Sequence, residues 1–153
     1  MTKRRDLIRM SDSEVRDYLD GRHTMNVASI NHDGTIHLVA MWYGFLGERP
    51  AFWTYGRSQK VLNLERNAQI TCLVETGDVY EELMGVELVG RAELITERAG
   101  IMEIGRSVFQ RYIAPWSDEM QPYLDKTGAK RIGVAIDVER VVSWDHRKLG
   151  GVY

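Results

Sequence analysis

The residues best suited to chemistry lie together from Thr54 to Asn67, in the sequence TYGRSQKVLNLERN. An apolar run just before them, Ala51–Trp53, predicts a buried strand, and Gly56 permits a sharp exit from it. Ser58 is placed to cap a helix that continues through Leu64. The first turn of such a helix offers free backbone amides and the positive end of the helix dipole, which suit a phosphate group.

Side chains of the same segment add further groups that bind phosphate. Arg57 carries a planar fork that can hold two phosphate oxygens, and Lys60 carries a mobile positive charge one turn into the helix. The hydroxyls of Thr54 and Ser58 are additional hydrogen-bond donors. A capped amphipathic helix with a solvated basic face explains the same spacing equally well. The spacing alone therefore leaves both interpretations open.

Composition and charge narrow the class of protein. The chain has 153 residues, 44% hydrophobic and 27% charged, which predicts a single domain over residues 1–153. A net charge of -2 gives no general attraction to nucleic acid, so no nucleic-acid partner is expected. Cys72 is the only cysteine, which excludes an intramolecular disulfide and favours a cytoplasmic location. No run approaches the roughly 20 apolar residues of a membrane span, so no membrane association is expected.

Two local signals organise the first part of the chain. Ser11 and Glu14 have capping-box spacing, which predicts a helix that runs to about Asp20 and covers one end of the fold. An Asp-Gly turn predicts a hairpin between strands over 25–30 and 35–45. Apolar residues occur on both faces of the second of these strands, so both faces are expected to be covered, one of them by a partner subunit or a cofactor.

The remaining sequence predicts a mainly β protein with peripheral helices. Strands are expected over 69–76 and 87–96, helices over 97–112 and 117–126, and closing strands over 130–144. The connections between strands are too short for repeated βαβ units, so a small closed or partly closed antiparallel barrel is favoured.

No constellation of side chains predicts protein-based catalysis or a metal site. The four histidines lack metal-ligand spacing, and Ser58 lacks the context of a nucleophile. Glu81 and Glu82 are adjacent in a predicted loop, where exposed charge is the expected interpretation. A barrel with a phosphate-binding segment and no catalytic residues points to chemistry supplied by a bound cofactor.

Three stretches together resemble the pyridoxamine 5'-phosphate oxidase-like superfamily of split-barrel flavin and deazaflavin oxidoreductases. They are INHDGTIHLVAMWYGF, AFWTYGRSQKVLNLERNAQITCLVE and GVELVGRAELI, and the resemblance covers about residues 8–112. It implies a split β-barrel like that of FMN-binding proteins, an antiparallel six-stranded barrel with peripheral helices. It also implies a homodimer with two cofactors in clefts at the subunit interface.

The resemblance implies a set of cofactor-binding residues. The cofactor ring is expected against the second strand, at Val39, Ala40, Met41 and Trp42. Thr54, Ser58 and Lys60 match the phosphate-contacting segment of the family, and Arg57 matches the basic residue common in its deazaflavin branch.

Two departures argue against vitamin B6 oxidation. Gln59 interrupts the Ser-Arg-Lys of true pyridoxamine phosphate oxidases, and the C-terminal SWDHRKLGGVY lacks their Arg-Leu-His signature. The pattern Tyr-Gly-Arg-Ser-x-Lys, followed by Asn-Leu-x-Arg, is more similar to the branch that uses the 8-hydroxy-5-deazaflavin coenzyme F-420. The expected function is therefore an F-420-dependent reductase of a small unsaturated or quinone-like substrate. An FMN-dependent oxidoreductase and a non-catalytic protein that binds a flavin or a haem-like ligand are the alternatives.

Two further groups of polar residues have open interpretations. Lys3, Arg4, Arg5 or Arg66 could attract the glutamate tail of F-420, although a basic N-terminus is also typical of a solvated end. The polar cluster 145–148 could meet substrate, with His146 as a proton donor, or could be a solvated tail.

Overall fold

Seven strands form one antiparallel sheet in the computed structural model of the protein, which describes residues 1–151. The strands are β1 Met25–Ile30, β2 Ile36–Met41, β3 Gly44–Leu46, β4 Arg49–Tyr55, β5 Gln69–Thr76, β6 Met84–Ile95 and β7 Arg131–Asp145. Their order in the sheet is β2-β1-β5-β6-β7-β4-β3. The helices are α1 Arg4–Ile8, α2 Asp12–Asp20, α3 Gln59–Arg66, α4 Arg98–Tyr112 and α5 Gln121–Gly128. Short 3-10 turns cover Tyr80–Glu82, Asp118–Met120 and His146–Leu149.

The sheet curls into a split barrel because its two edges are joined by only two residues. Trp42 and Tyr43 connect β2 at one edge to β3 at the other, so the edges must lie close together. The predicted mainly β split barrel with antiparallel strands is confirmed.

The strand count is seven rather than six because the chain breaks the predicted strand 35–45 at this crossing. The Tyr43 amide donates to the hydroxyl of Tyr112 at 3.3 Å, and the Tyr43 hydroxyl donates to the carbonyl of Leu19 at 2.5 Å, so this residue leaves the ladder. The region 130–144, predicted as several strands, is the single long strand β7.

Alternating burial along the strands builds the barrel core. Met25, Val27 and Ser29 of β1 point inward, and they lie opposite Met41, Val39 and His37 of β2. The helix α2 covers one end of this core with buried Leu19, and it begins with the predicted capping box at Ser11. The hairpin turn is also as predicted, with Gly34 at φ 86°.

A second core lies outside the barrel, where α4 and α5 pack on β4. The Trp53 indole enters it together with buried Ile104, Phe109 and Leu124. A Cβ at Gly105 would lie 2.4 Å from the Trp53 ring and one at Gly128 would lie 2.8 Å from it, so the two glycines make room for the indole. Among residues 1–151, no helix has the length and hydropathy needed to cross a bilayer.

Candidate functional site

The phosphate-binding segment predicted from the sequence is the junction of β4 and α3. Thr54 is buried at the end of β4, and Lys60 in the first turn of α3 is only 8% exposed. The Lys60 Nζ donates to the Thr54 Oγ1 at 3.1 Å. The strand β4 and the helix α3 therefore bring the predicted residues Thr54 and Lys60 into direct contact.

Lys60 is a buried cation without an anionic partner in the part of the chain that the structure describes. None of the ion pairs formed within residues 1–151 includes it. Burial lowers the pKa of Lys60, and the nearby Arg131 guanidinium lowers it further. An uncompensated charge is costly to bury, so the position favours an anion that would restore the balance.

Ser58 is a second polar group left without a partner at the same place. It is the N-cap of α3 by backbone conformation, and its carbonyl accepts from the Leu62 amide at 3.1 Å. The Ser58 Oγ, however, makes no capping hydrogen bond and is buried without a partner among residues 1–151. The predicted start of the helix is confirmed, whereas side-chain capping by Ser58 is wrong. The hydroxyl is thereby left available for a ligand.

An open cleft of about 500 Å³ adjoins this junction and is lined by Tyr55, Gly56, Arg57 and Lys130. The Gly56 amide donates to the Lys130 carbonyl at 2.9 Å, which holds the cleft walls together. Arg57 is exposed at the mouth, and no ion pair within the described residues involves Arg57 or Lys130. The cleft therefore presents positive charge to solvent beside the buried Lys60.

Sequence reasoning missed Lys130 and Arg131 as part of this cluster. Arg131 lies opposite Tyr55 in the β4–β7 pairing, and its guanidinium lies 5.1 Å from the centroid of the Trp53 ring. The available signal was two adjacent basic residues at the start of the closing strand. Their neighbours across the sheet depend on strand register, which the sequence alone does not specify.

The Asn-Leu-x-Arg pattern in α3 is a structural anchor. The fully buried Asn63 amide donates to the Ser29 Oγ at 3.1 Å and the Asn31 Oδ1 at 2.9 Å, and its own Oδ1 accepts from Gln59. Arg66 donates to the carbonyl of Ile30. Both residues fasten α3 to the β1–β2 hairpin, so the guanidinium of Arg66 is already engaged there.

The four residues expected to contact a cofactor ring lie at the end of β2 and just after it, and their side chains alternate between its two faces. Val39 and Met41 pack against the barrel core, whereas Ala40 and Trp42 are exposed. Because β2 is an edge strand of the described sheet, alternate backbone groups along it point away from β1. Trp42 is 50% exposed and stacks in parallel on Tyr112, with ring centroids 4.7 Å apart. Of the four, Trp42 shares a pocket with Arg131 and thus adjoins the basic cluster.

The terminal polar residues lie in contacts away from the β4–α3 junction. Asp145 accepts two hydrogen bonds from the Arg147 guanidinium, at 2.9 Å each, which lower the pKa of Asp145. The Nδ1 of His146 is hydrogen-bonded to the Tyr80 carbonyl at 2.8 Å, and Lys148 pairs with Glu14 at 2.7 Å. These contacts favour the structural interpretation of the 145–148 cluster. The basic N-terminus forms α1, which packs near the end of β7 rather than its start.

The remaining candidates have simple environments. Cys72 is buried in β5, as expected, and burial raises its pKa to about 12. Glu81 and Glu82 are exposed in a 3-10 turn. Within residues 1–151, no three histidine, cysteine or carboxylate side chains converge where they could share a metal ion.

Comparison with solved structures shows where this fold occurs. A conserved hypothetical protein from Mycobacterium tuberculosis is 41% identical, with 99% of this chain and 95% of that chain covered and a TM-score of 0.94. An F-420 reductase is 22% identical, with 82% of this chain and 94% of that chain covered and a TM-score of 0.63. The haem storage protein HutZ of Vibrio cholerae is 12% identical, with 89% and 97% covered and a TM-score of 0.67. The last two likenesses show a shared fold alone.

Sequence comparison assigns the family. No curated protein matches the chain in sequence. The family model described as pyridoxamine 5'-phosphate oxidase matches residues 11–145, which include all seven described strands and the whole basic junction. The chain therefore belongs to the pyridoxamine 5'-phosphate oxidase family.

Proposed function

We propose that the protein is a cofactor-dependent oxidoreductase that holds F-420 by its phosphate at the β4–α3 junction and reduces a small unsaturated or quinone-like compound. The observation that carries this proposal is Lys60, a buried cation that contacts Thr54 and lacks an anionic partner among the described residues. The unpartnered Ser58 Oγ beside it supports the same interpretation. At the start of α3, one cation lacks an anionic partner and one hydroxyl lacks a hydrogen-bond partner among the described residues. These two groups favour a phosphate-binding site over a helix that merely exposes a basic face to solvent.

The residues of the junction would divide the work of binding. The Lys60 ammonium and the Ser58 hydroxyl would bind phosphate oxygens from the protein interior, whereas the Arg57 guanidinium would bind them from the solvent side. Amides in the first turn of α3, which has no side-chain cap, would complete the site. When bound, a reduced deazaflavin would supply a hydride, and the proton that completes the reduction would come from water. The residues of this chain would then hold and orient the coenzyme and shield its ring.

The edge strand β2 offers a place for the ring system. Backbone groups on its free edge can hydrogen-bond to the polar edge of a flavin-type ring, and the small outward side chain of Ala40 permits close approach. The flat pair formed by Trp42 and Tyr112 lies at the end of this strand and can limit access of water.

Excess positive charge supports F-420 over FMN. FMN carries one phosphate, whereas F-420 adds a tail with several carboxylates. Arg57 and Lys130 line the cleft that adjoins the β4–α3 junction, and no ion pair within residues 1–151 includes either of them. Together with Lys60 they carry more positive charge than one phosphate requires. Arg57 and Lys130 replace Lys3, Arg4, Arg5 and Arg66 as the favoured contacts of the tail. The fold shared with an F-420 reductase is compatible with this choice.

A homodimer forms part of the proposal. Ile36 and Leu38 on the outer face of β2 are 61% and 67% exposed, although both faces of this strand were expected to be covered. They lie opposite Ile30 and Ala28 of β1, so the exposed apolar surface continues onto the next strand. A second copy that packs on this face would cover it and would complete a cleft beside β2.

Titration of the purified protein with F-420 and separately with FMN, followed by tryptophan fluorescence, tests the cofactor assignment. Micromolar or tighter binding of F-420, with weak FMN binding, is expected. A preference for FMN would replace F-420 in the proposal. Tight binding with no turnover across a panel of acceptors would favour the non-catalytic alternative, and haem titration would then follow.

A double variant tests the site itself. Replacement of both Arg57 and Lys60 by alanine is expected to weaken cofactor binding sharply, while the chain remains folded and its size in solution is unchanged. Light scattering of the wild type and of Leu38→Glu measures the dimer independently. Unchanged cofactor affinity in the double variant would remove the phosphate site from the β4–α3 junction.

A further inference from the structure

A small aromatic cavity adjoins the basic cluster and is not used by the phosphate site. It has a volume of about 140 Å³ and lies between α4, α5 and the barrel wall. Its main lining residues are Trp42, Trp53, Phe109, Tyr123, Leu124 and Arg131. Arg131 is the only charged side chain that the described residues contribute to its wall.

The cavity wall is built around the Trp53 indole. Gly105 of α4 and Gly128 of α5 face this ring, and any side chain at either glycine would collide with it. The Arg131 guanidinium lies 5.1 Å from the ring centroid and has no carboxylate partner within residues 1–151. The wall therefore combines an aromatic surface with a positive charge that is free to bind an anion.

The mouth of the cavity is an exposed apolar patch. Trp42, Ile113 and Tyr123 are 50%, 51% and 50% exposed. Trp42 is fixed in place by its parallel stacking on Tyr112. Exposed aromatic residues around a concave, mainly apolar space are typical of a ligand site rather than of an ordinary surface.

Size and charge together select a class of ligand. An apolar protein cavity of roughly 150 Å³ can hold one benzene ring, and this cavity is of similar volume. The single cation in its wall favours an anionic substituent on that ring. Arg131 lies opposite Tyr55 of the basic cleft in the β4–β7 pairing, so the cavity and the phosphate site are close neighbours.

We propose that this cavity is a binding subsite for small aromatic carboxylates, with the ring against Trp53 and the carboxylate at Arg131. The cavity would hold the substrate of the proposed oxidoreductase, and this role rests on the proposed function. Binding itself needs no cofactor, so the two proposals can fail separately.

The experiment follows 4-fluorobenzoate by fluorine NMR on addition of the cofactor-free protein, with neutral 4-fluorobenzyl alcohol as the matched ligand. A saturable shift is expected for the carboxylate, with weaker binding of the alcohol. Arg131→Gln should weaken carboxylate binding by about tenfold or more and should leave alcohol binding nearly unchanged.

A filling variant distinguishes this cavity from the phosphate site. Thr127 lines the cavity from α5, so Thr127→Leu should abolish binding of both ligands, whereas Thr127→Ser should not. The affinities of Thr127→Leu and Thr127→Ser for FMN and F-420 should match those of the wild type, and thermal unfolding should show that both variants fold. Absence of a saturable shift with wild-type protein, or full retention of 4-fluorobenzoate binding in Thr127→Leu, would overturn the subsite.

Discussion

Replacement of Lys60 by methionine distinguishes a lysine kept for a ligand from a lysine that stabilises the fold. Methionine has similar length and apolar character but no charge. In the structure, the Lys60 ammonium makes one hydrogen bond, to Thr54, and has no anionic partner among the described residues. We therefore expect a large loss of ligand affinity and only a small change in stability.

The magnitudes follow from these contacts. A hydrogen bond to a charged group contributes about 1.5–3 kcal/mol, so loss of the bond to phosphate should weaken cofactor binding by roughly 10- to 150-fold. For the ligand-free protein, loss of the hydrogen bond from the Lys60 ammonium to the Thr54 hydroxyl costs about 1.5–3 kcal/mol. Removal of a buried, unpaired cation offsets this cost. The free energy of unfolding should therefore fall by no more than about 1 kcal/mol.

Two measurements on the same variant test this expectation. Fluorescence titration gives the affinity for F-420 or FMN, and urea unfolding without ligand gives the stability. Lys126→Met removes an exposed lysine from α5 and serves as the matched control, with no change expected in either quantity. A Lys60→Met protein that lost more than about 3 kcal/mol of stability but kept its full cofactor affinity would refute the reasoning.

Further predictions concern the supports of the site and its pH dependence. Arg111 donates to three backbone carbonyls at the end of α2 and to the carbonyl of Tyr43. Arg111→Ala should therefore lower the free energy of unfolding in urea by about 2–4 kcal/mol, and Arg111→Lys should recover only part of this loss. Ser11→Ala removes the capping box of α2 and should cost about 1 kcal/mol in the same assay. Hydrogen bonds from Arg147 lower the pKa of Asp145 below its ordinary value of 3.8. The ionised Asp145 therefore stabilises the fold above pH 3.8, and this contribution is lost as the pH falls through the lowered pKa. The free energy of unfolding, measured at decreasing pH, should show this loss in the wild type and not in Asp145→Asn. A bound anion would raise the lowered pKa of Lys60. At a pH between the lowered pKa and the ordinary value of 10.5, phosphate binding should therefore be accompanied by proton uptake. Calorimetry in buffers of different ionisation enthalpy measures this uptake, and equal heats in all buffers would contradict it.

Local patterns predicted the elements and much of the barrel. The capping box at Ser11, the Asp-Gly turn and the basic segment after Trp53 each depend on residues close together in sequence, and each lies where it was expected. Such signals are strong because turns and caps impose narrow backbone requirements. The break between β2 and β3 was missed because Tyr43 is withdrawn from the ladder by Tyr112, which is distant in the sequence.

The candidate site was predictable only where a single segment builds it. Thr54, Ser58 and Lys60 come from one stretch, whereas Lys130 and Arg131 reach them through the pairing of β4 with β7. The fine role of Ser58 also escaped prediction, since any serine before a helix suggests a cap and only coordinates show that its hydroxyl is unpartnered. The aromatic cavity depends on how α4 and α5 pack around Trp53, which no local pattern specifies.

The anchoring of α3 has a consequence for how a ligand would arrive. Asn63 and Arg66 fix the middle and end of this helix to the barrel, so its first turn is already in place before any ligand binds. Binding would then require little ordering of the chain, and the conformational entropy that a flexible loop loses on capture would be mostly avoided. The rate of association would be governed by diffusion and by the attraction of the surrounding cations, and it should decrease as the salt concentration increases.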